Sequence, residues 1–201
     1  MHISEGVLSA PVLVTGALLA AGGVAIGLKK MDYEKIPEVA VLSSAFFVAS
    51  LIHVPIGPSS VHLVLNGLLG VLLGWMVFPS IVVALTLQAV LFQFGGLTSL
   101  GVNTVSMATP GVIAYYIFNL PIRKGNNSVS ALAGFAAGVT GVGIGAILVA
   151  IALISTGESF LGVAKLILFA HIPVMIIEGI ITAFCVTFLK KVKPEVLEVS
   201  K

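Results

Sequence analysis

Apolar residues gather along this chain in seven blocks, roughly 7–28, 39–55, 61–78, 80–94, 105–122, 129–155 and 161–189, separated by short polar or glycine-rich connections. A helix needs about 20 apolar residues to cross the hydrocarbon core of a bilayer. The first, sixth and seventh blocks satisfy that easily. The second and fourth, at about 16 and 15 residues, are short. They read as tilted neighbours of longer helices, or as partial spans whose irregular backbone is buried in protein. Pro79, between the third and fourth blocks, predicts a tight reversal. Block length alone therefore supports six or seven spans.

Composition agrees with a membrane location. Of the 201 residues, 58% are hydrophobic and 9% charged, with a mean hydropathy of +1.18. A soluble domain carries about 25% charged residues, so this chain cannot cover its surface with polar groups. Its 22 glycines also suit membrane helices. No polar stretch is long enough to fold separately, so residues 1–201 read as one integral domain. The single cysteine, Cys185, lies inside the last apolar block and excludes an intramolecular disulfide.

The distribution of basic residues selects the topology. With the N-terminus outside and seven spans, Lys29, Lys30, Lys35, Arg123, Lys124, Lys190, Lys191, Lys193 and Lys201 all fall on the inner side. Only Lys165, of ten basic residues, falls outside. An even number of spans breaks the pattern. The opening MHISEG lacks a basic region before the apolar run, so no cleavable signal peptide is expected and the hexapeptide belongs on the outer face. Glycines recur at four-residue spacing: Gly23 and Gly27, Gly70 and Gly74, Gly134 and Gly138, Gly141 and Gly145. Such spacing lets helix backbones approach closely, and packing within this chain is expected ahead of docking onto another subunit.

Four histidines carry most of the candidate chemistry, and His2, His53 and His62 map to the outer face. A chain whose second residue is histidine offers three nitrogens in sequence: the Met1 amine, the His2 amide and the His2 imidazole Nδ1. Binding through all three closes a five-membered and a six-membered ring and draws the donors toward one plane. Planar nitrogen coordination suits Ni(II) or Cu(II), whereas Zn(II) prefers a tetrahedron. One further nitrogen is needed for the fourth corner. His62, after the turn Gly57-Pro58-Ser59-Ser60, and His53, two residues before Pro55, compete for it. Asn103 and Thr104, at the end of the glycine-rich loop 95–104, are candidates for orienting a ligand, with helix capping the alternative for Thr104.

His171 and Glu178 stand seven residues apart on one face of the last block. Ionisable groups in a membrane face the bundle interior. A proton or ion relay and plain hydrogen bonding between helices both fit, the second better. About ten residues into its helix, His171 is expected ~15 Å below the surface, too far to share a metal with the outer histidines. The chain has no G-x-x-x-x-G-K-[ST] phosphate loop, no H-E-x-x-H helix, and no exposed serine or cysteine paired with a base. Uphill transport would therefore draw its energy from a partner or a gradient.

Four ordered motifs carry a resemblance. MHISEG at 1–6, GPSSVHLVLNGLLGVLLG at 57–74, FQFGGLTSLGVNTVSMA at 92–108 and AHIPVMIIEGIITA at 170–183 resemble the CbiM/NikM family. These are the cobalt or nickel substrate-capture (S) subunits of energy-coupling-factor (ECF) transporters, which are ABC-type systems of the prokaryotic inner membrane. The resemblance implies an all-α fold of seven transmembrane helices. An N-terminal helix is added to the six-helix core of other S subunits, with the N-terminus outside and the C-terminus cytoplasmic. It implies a near-planar site for Ni²⁺ or Co²⁺, the transported substrate, made by Met1, His2 and His62, and so decides the contest against His53. Ser60, Asn103, Glu5 and His53 are then candidates for supporting positions, with His53 outside the family pattern. Implied partners are a transmembrane coupling (T) subunit, cytoplasmic ATPase subunits and a small accessory membrane subunit, with the bilayer around them. No organic cofactor, nucleic acid or catalytic residue is implied, and cobalt against nickel, with its link to cobalamin synthesis, is left open. The rival classes are a membrane enzyme built on His53, His62, His171 and Glu178, and an ATPase-independent carrier.

Overall fold

A computed structural model of the chain describes residues 1–51 and 53–197, so the expected inner-side placement of Lys201 lies outside the described residues. The helices are α1 Ala10–Lys29, α2 Ile36–Leu51, α3 Asn66–Leu73, α4 Val77–Phe92, α5 Leu100–Lys124, α6 Asn127–Thr156 and α7 Leu161–Val192. Five stretches among the described residues are long and apolar enough to cross a membrane: α1, the run Asn66–Phe92 holding α3 and α4, α5, α6, and the run Glu158–Val192 holding α7. The 16 residues of α2 extend about 24 Å, short of the hydrocarbon thickness. The α3–α4 run is the centre of the bundle, with 83% of its apolar window buried against 22% for α1 and 17% for the α7 run. Leu18, Leu132, Phe169 and Phe184 stay about 70% exposed, as lipid-facing side chains would.

The fold is all-α as expected, with one short departure from helix. Where the second and third blocks were expected to be helical, the chain forms a hairpin of β1 His53–Ile56 and β2 Ser59–His62. The strands are antiparallel, with His53 opposite His62 and Ile56 opposite Ser59. Pro55 and Pro58 oppose helix at these positions, and Gly57 supplies the left-handed turn residue at φ 55°. The chain's first residues add a further extended piece. Ile3 forms a bridge with Ser59, and the Ser4 N–H donates to the Pro58 carbonyl at 3.0 Å. Extended backbone is tolerated inside an apolar bundle only when protein groups satisfy it, and here the three pieces satisfy each other in part.

The helix after the hairpin therefore starts at Asn66, five residues later than the third block. Leu65 turns through a left-handed conformation, φ 54°, without a capping side chain of its own. Glu178 of α7 does that work. Its Oε1 accepts from Val64 N–H at 2.5 Å and Leu65 N–H at 2.8 Å, and Oε2 lies 3.0 Å from the same Leu65 nitrogen. The carboxylate thus caps the start of a fully buried helix, where orphan N–H groups need an acceptor. The break between α3 and α4 falls at Gly74–Met76. Pro79 lies in the first turn of α4, where its missing N–H costs nothing.

The glycine spacing serves internal packing. A Cβ on Gly27 would meet Trp75 O at 2.6 Å, and one on Gly138 would meet Glu178 O at 2.5 Å. At the opposite end from the hairpin, Lys190 Nζ donates to Ile122 O at 2.9 Å, to Ser130 Oγ at 2.7 Å and to Gly125 O. The basic turn Arg123–Lys124 and the end of α7 are thereby gathered on one side. Removing the Glu178 cap should weaken the whole centre. Glu178→Ala, which strands two buried N–H donors, is expected to lose about 3 kcal/mol of stability, read as a lower unfolding midpoint in detergent. Glu178→Gln, whose amide oxygen still accepts, should lose less.

Candidate metal site

The first three residues are inside the protein. Met1 and Ile3 are completely buried and His2 is 5% exposed. The Ile3 peptide is held on both polar atoms, because its N–H donates to Asn103 Oδ1 at 2.9 Å while its carbonyl accepts from Asn103 Nδ2 at 3.1 Å and Ser99 Oγ at 2.9 Å. Both partners come from the beginning of α5, Ser99 as its N-cap position and Asn103 four residues on. The Met1 amine donates to the Ser60 carbonyl of β2. The Met1 side chain points between helices, its Sδ only 2.8 Å from where a Cβ on Gly145 would stand. Gly145 is eleven residues from the end of α6 at Thr156, about 16 Å down the helix axis. Further out, Glu5 receives the Leu97 and Thr98 N–H groups and ties the segment to the loop before α5.

Against this clamped backbone the His2 and His62 rings lie with centroids 4.6 Å apart and planes tilted by 35°. The His62 Nδ1 faces the Leu63 carbonyl at 2.7 Å. A carbonyl only accepts, so Nδ1 carries the proton and Nε2 keeps its lone pair. That Nε2 is buried without a hydrogen-bond partner. The His2 Nε2 lies 2.7 Å from Gln88 Oε1 of α4. Gly95, at φ 77°, takes a conformation suited to glycine, and a Cβ there would crowd Asn103 Nδ2 at 3.0 Å and His2 Cδ2 at 3.4 Å. A small cavity of about 120 Å³ opens beside the His2 ring, lined by His2, His53, Ser59, Ser60, Phe94 and Gly95 among others.

Burial sets the protonation of these groups. It holds the Met1 amine well below its usual range. It lowers His2 to about 3, reinforced by the nearby amine and opposed by the bond to Gln88. His62 is also lowered, by burial first and then by the amine and His2. The charged forms are the ones water would have to solvate, so all three nitrogens stand neutral at physiological pH. Neutral nitrogen is the form that binds a transition metal.

The structure therefore brings Met1, His2 and His62 together, with the Ser60 backbone beside them and Asn103 orienting Ile3. Glu5 and the His53 ring sit at the periphery. His53 pairs in register with His62 across the hairpin, but its ring packs edge-on to Phe94 at 4.3 Å and its Nδ1 faces Leu51 O at 3.1 Å. Thr104 caps nothing, since it lies inside α5 with its buried hydroxyl unpartnered. His171 lies on α7 with its Nδ1 facing Ile167 O at 2.7 Å. Met1 and the chain after β2 reach into the bundle, against Gly145 and Glu178, while the hairpin turn at Gly57 stays beside Val163 near the start of α7. Still, no group of three His, Cys, Asp or Glu side chains converges among the described residues. Gln88 and Ser99 escaped the sequence reading. Gln88 sits mid-block among apolar residues with no motif around it, and its polarity there was the only available signal.

The chain as a whole is similar to metal transport proteins. Residues 2–196 match the CbiM family model, described as a cobalt uptake substrate-specific transmembrane region. A putative metal transport protein of Haemophilus influenzae is 47% identical over 98% of this chain and 97% of its own length. Cobalt transport protein CbiM of Sorangium cellulosum is 34% identical, covering 98% and 95%. A putative fused nickel transport protein NikMN of Archaeoglobus fulgidus is 31% identical, covering 98% of this chain and 68% of the other. Among solved structures, the crystal structure of a transition metal transporter superposes with a TM-score of 0.78 at 28% identity, covering 96% and 93%. The clamp on Ile3 can be tested directly. Asn103→Leu removes both of its contacts and should speed Ile3 amide exchange by at least about tenfold, measured by hydrogen exchange with and without the substitution.

Proposed function

This chain belongs to the CbiM family, and on that premise we propose that it is the substrate-capture subunit of an ECF transporter for Ni²⁺ or Co²⁺. It is a multi-pass membrane protein of a family that transports these metals. On the proposed reading it spans the inner membrane of a prokaryotic cell seven times, with the N-terminus outside and the basic ends of α5 and α7 in the cytoplasm. The metal binds to the Met1 amine, the His2 amide nitrogen, His2 Nδ1 and His62 Nε2. The single observation that carries the reading is the buried His62 Nε2, a lone pair with no partner, next to a clamped N-terminus. Leaving such an atom unsatisfied costs about 1–3 kcal/mol, which a bound cation would offset.

The four nitrogens supply a planar set, which Ni(II) favours and Zn(II) does not. Coordination by the amide nitrogen displaces its proton, and the two consecutive chelate rings then reject ions that demand tetrahedral or octahedral shells. No side chain performs catalysis on this reading, and the energy for inward release comes from ATPase partners acting through a coupling subunit. An enzyme built on His53, His62, His171 and Glu178 is disfavoured by where two of them are engaged. Glu178 caps α3, and the His53 ring packs on Phe94. An ATPase-independent carrier would differ in one observable: it would accumulate metal in cells lacking the ATPases.

A glycine inserted before Met1 moves the amine out of its five-membered ring and is expected to abolish tight Ni²⁺ binding in calorimetry. Full binding by that variant would sink the chelate. His62→Ala should be equally severe and His53→Ala mild. Proton release gives an independent check. Because the amine and imidazoles are already neutral, only the amide proton is lost, so about one H⁺ should leave per metal between pH 6 and 8. Affinity should accordingly rise by about tenfold per pH unit. Release of two or three protons would mean that the amine or rings are charged in the empty protein.

A further inference from the structure

A chelate through His2 Nδ1 requires one particular tautomer, and the structure contains a chain of hydrogen bonds that selects it. The chain begins at α2. The Ser50 hydroxyl lies 2.7 Å from Phe46 O and 3.1 Å from Phe47 O, its proton is therefore directed to those carbonyls, and its oxygen is left to accept. One end of the Gln88 side-chain amide faces two acceptors, that hydroxyl oxygen and the Phe47 carbonyl at 3.2 Å. Only an NH₂ group satisfies two acceptors, so this end is Nε2 and the other end is the carbonyl oxygen. That oxygen stands 2.7 Å from His2 Nε2. An amide oxygen accepts and never donates, so the proton must be on His2 Nε2, and Nδ1 carries the lone pair. Gln88, Ser50 and His2 are all buried, and water does not compete for any of these bonds.

We infer that Gln88 is a positioning residue of the metal site, holding the His2 ring in orientation and in the Nε2–H form so that Nδ1 is presented to the metal. The inference rests on the proposed chelate and adds to it a partner on α4, itself anchored to α2. Gln88 does not touch the metal. It acts on His2 as a carbonyl or carboxylate acts on the outer nitrogen of a metal-bound histidine, which stiffens the ligand and raises its basicity. Loss of such a partner weakens metal binding by about 10- to 100-fold. His62 carries the mirror-image arrangement, with Leu63 O on Nδ1 and Nε2 free. The two rings thus offer opposite nitrogens because their acceptors sit on opposite nitrogens.

The test uses the full chain purified without metal, with ring nitrogen-15 labels on histidine and the His2 signals identified by their loss in His2→Ala. Wild-type His2 should be a single neutral tautomer protonated on Nε2; a ring protonated on Nδ1 would overturn the inference without any variant being made. Gln88→Met should bind Ni²⁺ about 10- to 100-fold more weakly. Gln88→Glu, which keeps an acceptor oxygen of the same reach, should recover to within a few-fold of wild type. Wild-type affinity in Gln88→Met, or no recovery in Gln88→Glu with the fold intact by circular dichroism, would remove Gln88 from the site. Unchanged Ni²⁺ binding by His2→Ala would instead overturn the chelate itself and the role of Gln88 with it. Dependence on His2 without dependence on Gln88 overturns only the present inference.

Discussion

Backbone that leaves helical geometry inside an apolar bundle can hydrogen-bond only to protein. Residues 1–4, β1 and β2 do leave it, with Met1, His2, Ile3 and most of β2 buried among the helices and β1 at the rim. Their mutual pairing is incomplete, and side chains from the surrounding helices supply what is missing. Asn103 takes both polar atoms of the Ile3 peptide, and Glu178 takes the N–H groups of Val64 and Leu65. The Ser60 carbonyl takes the Met1 amine. Nearly every donor and acceptor in the segment is assigned. Of the nitrogens the proposed metal would use, His62 Nε2 is the one left buried without a partner.

That arrangement lowers the ordering cost of binding at the proposed site. A flexible N-terminal peptide would offer the same donors, but ordering it around a metal would cost chain entropy. Here the cost is met during folding, by burial of Met1 between α5 and α6 and by the clamp at Ile3. Close helix approach is a precondition. The Met1 thioether occupies space that exists because position 145 is glycine. A second close approach, between Gly138 and the Glu178 carbonyl, sets α7 against α6 where the carboxylate must reach Val64.

The ionisable residues within the bundle divide by role. Glu178 is a helix cap delivered from a distant helix. The His171 Nδ1 bonds to Ile167 O at 2.7 Å on its own helix, a bond that keeps a polar ring satisfied on one side. His53 is held by Phe94 at the rim of the small cavity. A sequence reading could only note that each was costly in a membrane. Which of them was compensated by backbone, and which was left with an open lone pair, depended on neighbours in the folded chain.

The sequence by itself determined the membrane class, most helix positions, the clustering of basic residues and the candidates Met1 and His2, with His53 and His62 left competing until the family resemblance favoured His62. These follow from local quantities: run length of apolar residues, charge near helix ends, and the covalent spacing of donors in the first two residues. It did not reveal the hairpin, because four-residue strands flanked by prolines read as continuations of apolar helices when their partners are unknown. It put the N-terminus on the outer face without its burial, because nothing in six residues tells how far they descend. The roles of Gln88, Ser99 and Glu178 were decided only by tertiary structure. Each acts on a residue 86 to 114 positions away, and hydrogen-bond partnership over such separations is set by how helices pack rather than by any local pattern.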